Sequence, residues 1–163
     1  MKIREATDAD WQHIWPFFRV ICAEGETYVY PFELTAEEGR ATWMERPPGL
    51  TVVAVDDAGR VLGSAKMGPN RPGPGAHVST ASFMVDPAAA GRGVGRALGE
   101  YALNWAREQG YRAMQFNAVV ESNTRAVHLW QAIGFEIVGT VPEAFKSPTH
   151  GYVGLHVMYQ RLD

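Results

Sequence analysis

The chain has 163 residues, 46% of them hydrophobic and 20% charged, enough for one core without disulfides or a structural metal. A formal charge of −3 argues against a general nucleic-acid or membrane-surface binder, and no run of ~18 apolar residues is present to span a bilayer. Met1–Asp10 lacks the apolar stretch of a signal peptide, and a single cysteine, Cys22, leaves no internal disulfide and suits a reduced, cytoplasmic setting.

Met1–Ala6 reads as a first strand, and Thr7-Asp8-Ala9-Asp10 as a capping box ahead of a helix. Trp11, Ile14, Trp15, Phe18 and Cys22 follow at helical spacing, with Pro16 expected to kink the helix. Glu24–Pro31 reads as a loop and Thr35–Glu45 as a second helix. Leu50–Val55 and Arg60–Met67 flank Asp56-Asp57-Ala58-Gly59, the pattern of a hairpin. Gly68–Gly75 is a loop and Ala76–Val85 a central strand. A helix follows over Gly93–Gln109, its inward face carrying Leu98, Ala102, Trp105 and Ala106, with Gly110 as its stop. Ala113–Val119 is a strand, Asn123–Ile133 a helix, Phe135–Val141 a strand and Tyr152–Arg161 the last strand. No repeat or linker divides residues 1–163, so a single α+β domain is expected, one mixed sheet flanked by helices.

The stretch Val85-Asp86-Pro87-Ala88-Ala89-Ala90-Gly91-Arg92-Gly93-Val94-Gly95-Arg96 runs from a strand through glycines into a helix. Glycines permit positive φ and close backbone approach, so consecutive N–H groups can converge on an anion. The helix start adds unpaired N–H groups and the positive end of its dipole. Arg92, Arg96, Arg107 and Arg112 outnumber Glu100 and Glu108 locally, which points to a pyrophosphate. A Walker A loop is excluded because no lysine follows the glycines. A Rossmann fingerprint is excluded because the sixth position is Arg96 or Leu98. The glycines alone would equally suit a tight helix-entry turn.

Val85, Pro87, Gly91, Gly93, Val94 and Gly95 resemble, in register, the acetyl-coenzyme A motif of the GNAT N-acetyltransferases, V-x-P-x-x-[QR]-G-x-G-[IV]-[GA]. Ala90 stands where that motif has Gln or Arg. Asn123, Ala126, Leu129, Gly134 and Phe135 resemble the family's later N-x-x-A-x-x-[LF]-[YW]-x-x-x-G-F segment. Asn123 suits an N-cap there, and Ala126, Leu129, Trp130 and Ile133 form one apolar stripe. Asn117 and Asn123, with the following Leu-Trp and Gly-Phe, are also similar to the fungal acetyltransferases of proline analogues.

The resemblance implies the GNAT fold, with six to seven mostly antiparallel strands and about four helices. It also implies an acetyl-CoA-dependent N-acetyltransferase, with direct attack by an amine in a ternary complex and no metal. Cofactor contacts are expected from Val85, Ala90, Gly91, Arg92, Gly93, Val94, Gly95, Arg96, Asn123 and Trp130. The Val85 N–H is expected to hold the thioester carbonyl oxygen, a contribution of ~3 kcal/mol for such donors. Asn117 and Asn123 are expected near the acceptor. The family's usual general acid is a tyrosine at the position of Trp130, whose indole N–H donates a hydrogen bond but does not deliver a proton; a core aromatic is the plainer reading of that residue.

The general base stays open. The strand before the glycines carries Ser79, Thr80 and Ser82 but no carboxylate, and His77 sits at its start and reads as a surface residue. A water relay through the hydroxyls would be adequate for a reactive thioester. Glu26, Tyr28 and Tyr30, with Glu24 and Thr27, are expected to wall the acceptor pocket. The acceptor would be a small-molecule amine such as an amino acid or analogue; a homodimer stays open. A non-catalytic acyl-CoA sensor and a protein or peptide N-acetyltransferase are the alternatives.

Overall fold

A computed structural model describes residues 1–163. Its elements are β1 (Lys2–Glu5), α1 (Trp11–Glu24), α2 (Ala36–Trp43), β2 (Leu50–Val55), β3 (Val61–Pro69), β4 (Val78–Val85), α3 (Val94–Glu108), β5 (Ala113–Val120), α4 (Thr124–Ala132), β6 (Glu136–Ser147) and β7 (Gly151–Arg161). The strands form one seven-stranded sheet in the order β1-β2-β3-β4-β5-β7-β6. Every neighbouring pair is antiparallel except β4 and β5. This is the expected α+β class.

Strand β2 is apolar except for Thr51 because both of its faces are covered. Val52 and Ala54 join a core with α3 and α4, whereas Val53 joins a second core with Ile14, Phe18 and Cys22 of α1 and Trp43 of α2. The sheet is therefore the middle of three layers. Trp43 is fully buried with its indole N–H satisfied: it donates to Ser64 Oγ at 2.9 Å, which donates in turn to the Val52 carbonyl. Burial pushes the Cys22 thiol up to about 11, so the lone cysteine is inert packing.

The N-terminal turn is fixed by charge. Asp10 accepts two bonds from the Arg4 guanidinium, at 2.8 and 2.9 Å, and one from the Thr7 N–H at 2.7 Å. The guanidinium holds its carboxyl down at about 2.

Three elements depart from the sequence expectation. Helix α1 runs unbroken through Pro16 and buries Phe17, leaving Trp15 half-exposed. The central strand starts at Val78 rather than Ala76. Most of all, β6 does not stop at Val141. It continues to Ser147 across a bulge at Val141–Phe145, where Glu143 takes φ +52°. The Val141-Pro142-Glu143 turn signal is real, but it becomes a bulge within a pair held on both sides.

Two glycines set interlayer distances. A Cβ on Gly99 of α3 would lie 2.9 Å from Ile133 Cδ1 and from the Trp130 ring, and one on Gly63 of β3 would lie 2.9 Å from Val94 Cγ1 of α3. Both permit close approach of α3, to α4 and to the sheet respectively.

Candidate active site

The parallel pair β4–β5 is in register only at Val78–Ala113 and Ser79–Met114. Ser79 Oγ donates to the Ala113 carbonyl at 3.0 Å and pins the strands at that apex. Beyond it they diverge. Phe83 of β4, Phe116 of β5 and Trp130 of α4 form an aromatic wedge on the α3–α4 side, with ring centroids 4.6 to 5.8 Å apart. The divergence opens a cleft of about 390 Å³.

The exposed edge of β4 faces this cleft. The Asp86 N–H donates to the Leu62 carbonyl of β3. The alternation of an antiparallel ladder then turns the N–H groups of Ala81, Phe83 and Val85 the other way, towards β5. At Phe83 that edge is filled by a side chain. The Tyr28 hydroxyl donates to the Phe83 carbonyl and accepts from the Phe83 N–H at 2.9 Å. The Val85 N–H, one step nearer α3, has no such partner.

Between β4 and α3 the chain turns on Asp86, which accepts from the Ala88 N–H at 2.9 Å and pairs with Arg60 at 3.1 Å. Gly91 and Gly93 both take φ +77°, Gly93 as the N-cap of α3. From Gly91 through Arg96 no backbone N–H donates to a protein acceptor. The first intrahelical bond is made by Ala97 to the Gly93 carbonyl. Six consecutive donors at a helix start, without an acidic residue in the first turn, suit a pyrophosphate by main chain alone. Ala90, expected to contact the cofactor, donates its N–H to the Pro87 carbonyl at 3.2 Å and so closes the turn ahead of the free donors rather than joining them. The arginines contribute less than their number implies. Arg96 pairs with Glu100 and Arg112 with Asp163, and Arg107 bonds Asn104, which leaves Arg92 without a partner.

The other wall of the cleft comes from the end of α1 and the loop after it: Ile21, Glu24, Thr27, Tyr28, Val29 and Tyr30. The Tyr28 and Tyr30 rings stack at 5.4 Å and 2°. Burial pushes both phenols up, Tyr30 to about 12, so both stay neutral donors at working pH. Thr80 and Ser82 also line the cleft. His77 is exposed, and Ser79 is committed to the apex.

Glu26 is placed elsewhere. Its carboxylate accepts from Ser147 Oγ at 2.7 Å and from the N–H and Oγ1 of Thr149, at 3.0 and 2.7 Å, in the β6–β7 turn. These bonds, Ser147's first, hold it below the usual carboxylate range. It clasps the loop rather than lining the cleft; the cleft carboxylate is Glu24. The sequence offered no sign of this clasp, because its partners, Ser147 and Thr149, lie between the strands expected at Phe135–Val141 and Tyr152–Arg161 and more than 120 residues from Glu26.

Asn117 and Asn123 do both reach the cleft. Asn117 sits in a β5 bulge between Phe116 and Val119. Its amide exchanges bonds with Asn70, at 2.6 and 3.2 Å, and accepts from Gln115 at 2.9 Å. Asn123 caps α4 by accepting from the Ala126 N–H at 3.4 Å. Trp130 is buried in the aromatic wedge, with no protein acceptor for its indole N–H.

Splayed strands, a bare helix start and a walled cleft define a site that can hold a phosphate-bearing ligand by main chain beside a reaction cleft. Residues 10–135 match the acetyltransferase (GNAT) family, and the chain belongs to that family. A GCN5-related N-acetyltransferase structure from Kribbella flavida is 62% identical, with a TM-score of 0.97 over 99% of this chain and 97% of that one. N-acetyltransferase aca1 of Schizosaccharomyces pombe is 30% identical over 111 residues, 68% of this chain and 53% of the relative. The chain thus spans about half the length of that curated relative. A phosphinothricin acetyltransferase from Sinorhizobium meliloti, solved in complex with acetyl-CoA, shares the fold at 23% identity and TM-score 0.88, over 99% of this chain and 88% of that one.

Proposed function

We propose that the protein transfers an acetyl group from acetyl-CoA to the primary amine of a small molecule. The observation that carries this reading is the set of unpartnered main-chain donors at Val85 and from Gly91 to Arg96, with the Tyr28 hydroxyl filling the strand edge one step before Val85, at Phe83. Acetyl-CoA supplies the activated acetyl group. The N–H groups of Arg92 to Arg96 hold its pyrophosphate, and the Val85 N–H holds the carbonyl oxygen as charge develops on it, worth ~3 kcal/mol for such donors. Glu24 at the cleft mouth draws the acceptor ammonium from solvent. Thr80 and Ser82 hold a water that takes the amine's proton. The C–N bond forms as the C–S bond breaks, and the proton lost by nitrogen is restored to sulfur.

A small acceptor is favoured by the Glu26 clasp. It ties the α1–α2 loop, which walls the cleft, to the β6–β7 turn and so fixes that wall instead of leaving it free to open around a longer chain. The test is thiol release from acetyl-CoA across a panel of amines and short peptides, with the acetylated product identified by mass. Acceptor-dependent release with free amines is expected. Acetyl-CoA binding without release would favour a sensor module, and release with peptides alone a protein N-acetyltransferase.

A further inference from the structure

Resting on that reading, we infer that the acceptor is a lipophilic primary amine without a carboxylate, an arylalkyl or branched alkyl amine rather than an amino acid. The cleft has 20 lining residues, of which 14 are hydrophobic and none is lysine, arginine or histidine. Its one ionisable carboxylate, Glu24, is exposed and makes no ion pair or hydrogen bond. The site therefore attracts a cation at its mouth and offers no counter-ion deeper in.

Asn117, the residue best suited to an acceptor carboxylate, is already engaged. Its amide is held by Asn70 and Gln115. A carboxylate taken into the cleft would lose its water with no charged partner in return, a larger penalty than the burial of an apolar body returns. An aromatic or branched body meets instead the stacked Tyr28 and Tyr30 rings and, across the cleft, Phe116 and Trp130. The apolar surroundings also help the chemistry. Desolvation favours the neutral amine, the form that attacks, whereas Glu24 acts at the mouth, where the ammonium form arrives.

The experiment compares matched pairs that differ only by the carboxylate: 2-phenylethylamine with phenylalanine, and 3-methylbutylamine with leucine. Binding to the protein in the presence of CoA is measured by calorimetry, and kcat/KM by thiol release. The carboxylate-free member of each pair is expected to bind and react at least about tenfold better, as an unpaired buried charge requires. Glu24→Lys is expected to shrink or invert that ratio. If phenylalanine and leucine bind as tightly as the amines, or if none of the four binds, the inference is overturned whatever the transfer rate. If binding follows the expected order and no acetylation occurs, the acceptor class stands and the transferase reading falls.

Discussion

The two walls of the cleft are made of different materials. At Val85 and from Gly91 to Arg96 the surface offered to a ligand is main chain, its donors exposed by a strand edge and a helix start. From Glu24 to Tyr30 it is side chain, and that loop is held by a carboxylate whose partner, Ser147, lies 121 residues further along the chain. A main-chain site tolerates changes of side chain, which is why Ala90 can replace the family's Gln or Arg. It does not tolerate changes of backbone conformation. A side-chain wall has the opposite sensitivity, so substitutions there can reshape the cleft and leave the main-chain donors at the start of α3 in place.

The largest expected effect comes from Gly93→Val. Gly93 has φ +77° and open space where a Cβ would sit, so the substitution acts through backbone strain of about 1–3 kcal/mol. Relaxing that strain swings the first turn of α3, and acetyl-CoA affinity is expected to fall by at least about a hundredfold, as several main-chain bonds are lost together. Gly110→Val is the control. Gly110 has φ +83° and equally open space at the far end of the same helix. It should lose comparable stability and retain acetyl-CoA affinity by calorimetry. Equal loss of affinity in both variants would show that the cradle is sensitive only through global stability.

The same division explains what could be read from the sequence. Glycine spacing, the strand before it and the helix after it are local, so the glycine turn into α3 and the sheet class were legible. So was the Asn123 cap. The aromatic wedge was half legible: Trp130 reads as core, but nothing marks Phe83 and Phe116 as its partners across diverging strands. Gly99 carries no local signal, and its role appears only with Ile133 and Trp130 packed against it. The acceptor wall was legible in composition alone. Glu24, Glu26, Tyr28 and Tyr30 lie in one short stretch, and which of them face inward is decided by β4 and by the β6–β7 turn, neither of which is near in sequence.

Tyr28→Phe sharpens the comparison from the other wall. It removes the hydroxyl that satisfies both backbone groups of Phe83, so stability is expected to fall by about 1–3 kcal/mol in urea denaturation. The acceptor KM should rise while acetyl-CoA affinity stays close to that of the parent. A selective loss of acetyl-CoA affinity would instead place Tyr28 with the cradle.

Asn123→Ala tests the junction of the two walls. The cap bond is long, 3.4 Å, so its loss should cost only about 0.5–1 kcal/mol, the low end for N-caps. A fall in kcat well beyond that cost, at unchanged acetyl-CoA affinity, would give Asn123 a role in the cleft. Unchanged kcat would leave it a helix cap.

Glu26→Gln is expected to have the smallest effect, and its dependence on pH is the informative part. The bonds from Ser147 and Thr149 hold the folded carboxyl below its ordinary value. A group depressed on folding contributes stability that is fully present above its unfolded pKa of about 4.3 and is lost as pH falls through the folded one. At pH 7 the variant should melt slightly below the parent, because an amide accepts these bonds less strongly than a carboxylate. As pH falls below the ordinary carboxylate range and then through the depressed folded value, the parent loses that contribution, and the two melting curves should converge. Acceptor KM at pH 7 should rise modestly in the variant as the loop loosens, with acetyl-CoA affinity unchanged. A melting gap that persists undiminished at pH 3 would mean that the clasp does not depend on the carboxylate's charge, and the α1–α2 loop would then owe its position to the Tyr28 and Tyr30 stack alone.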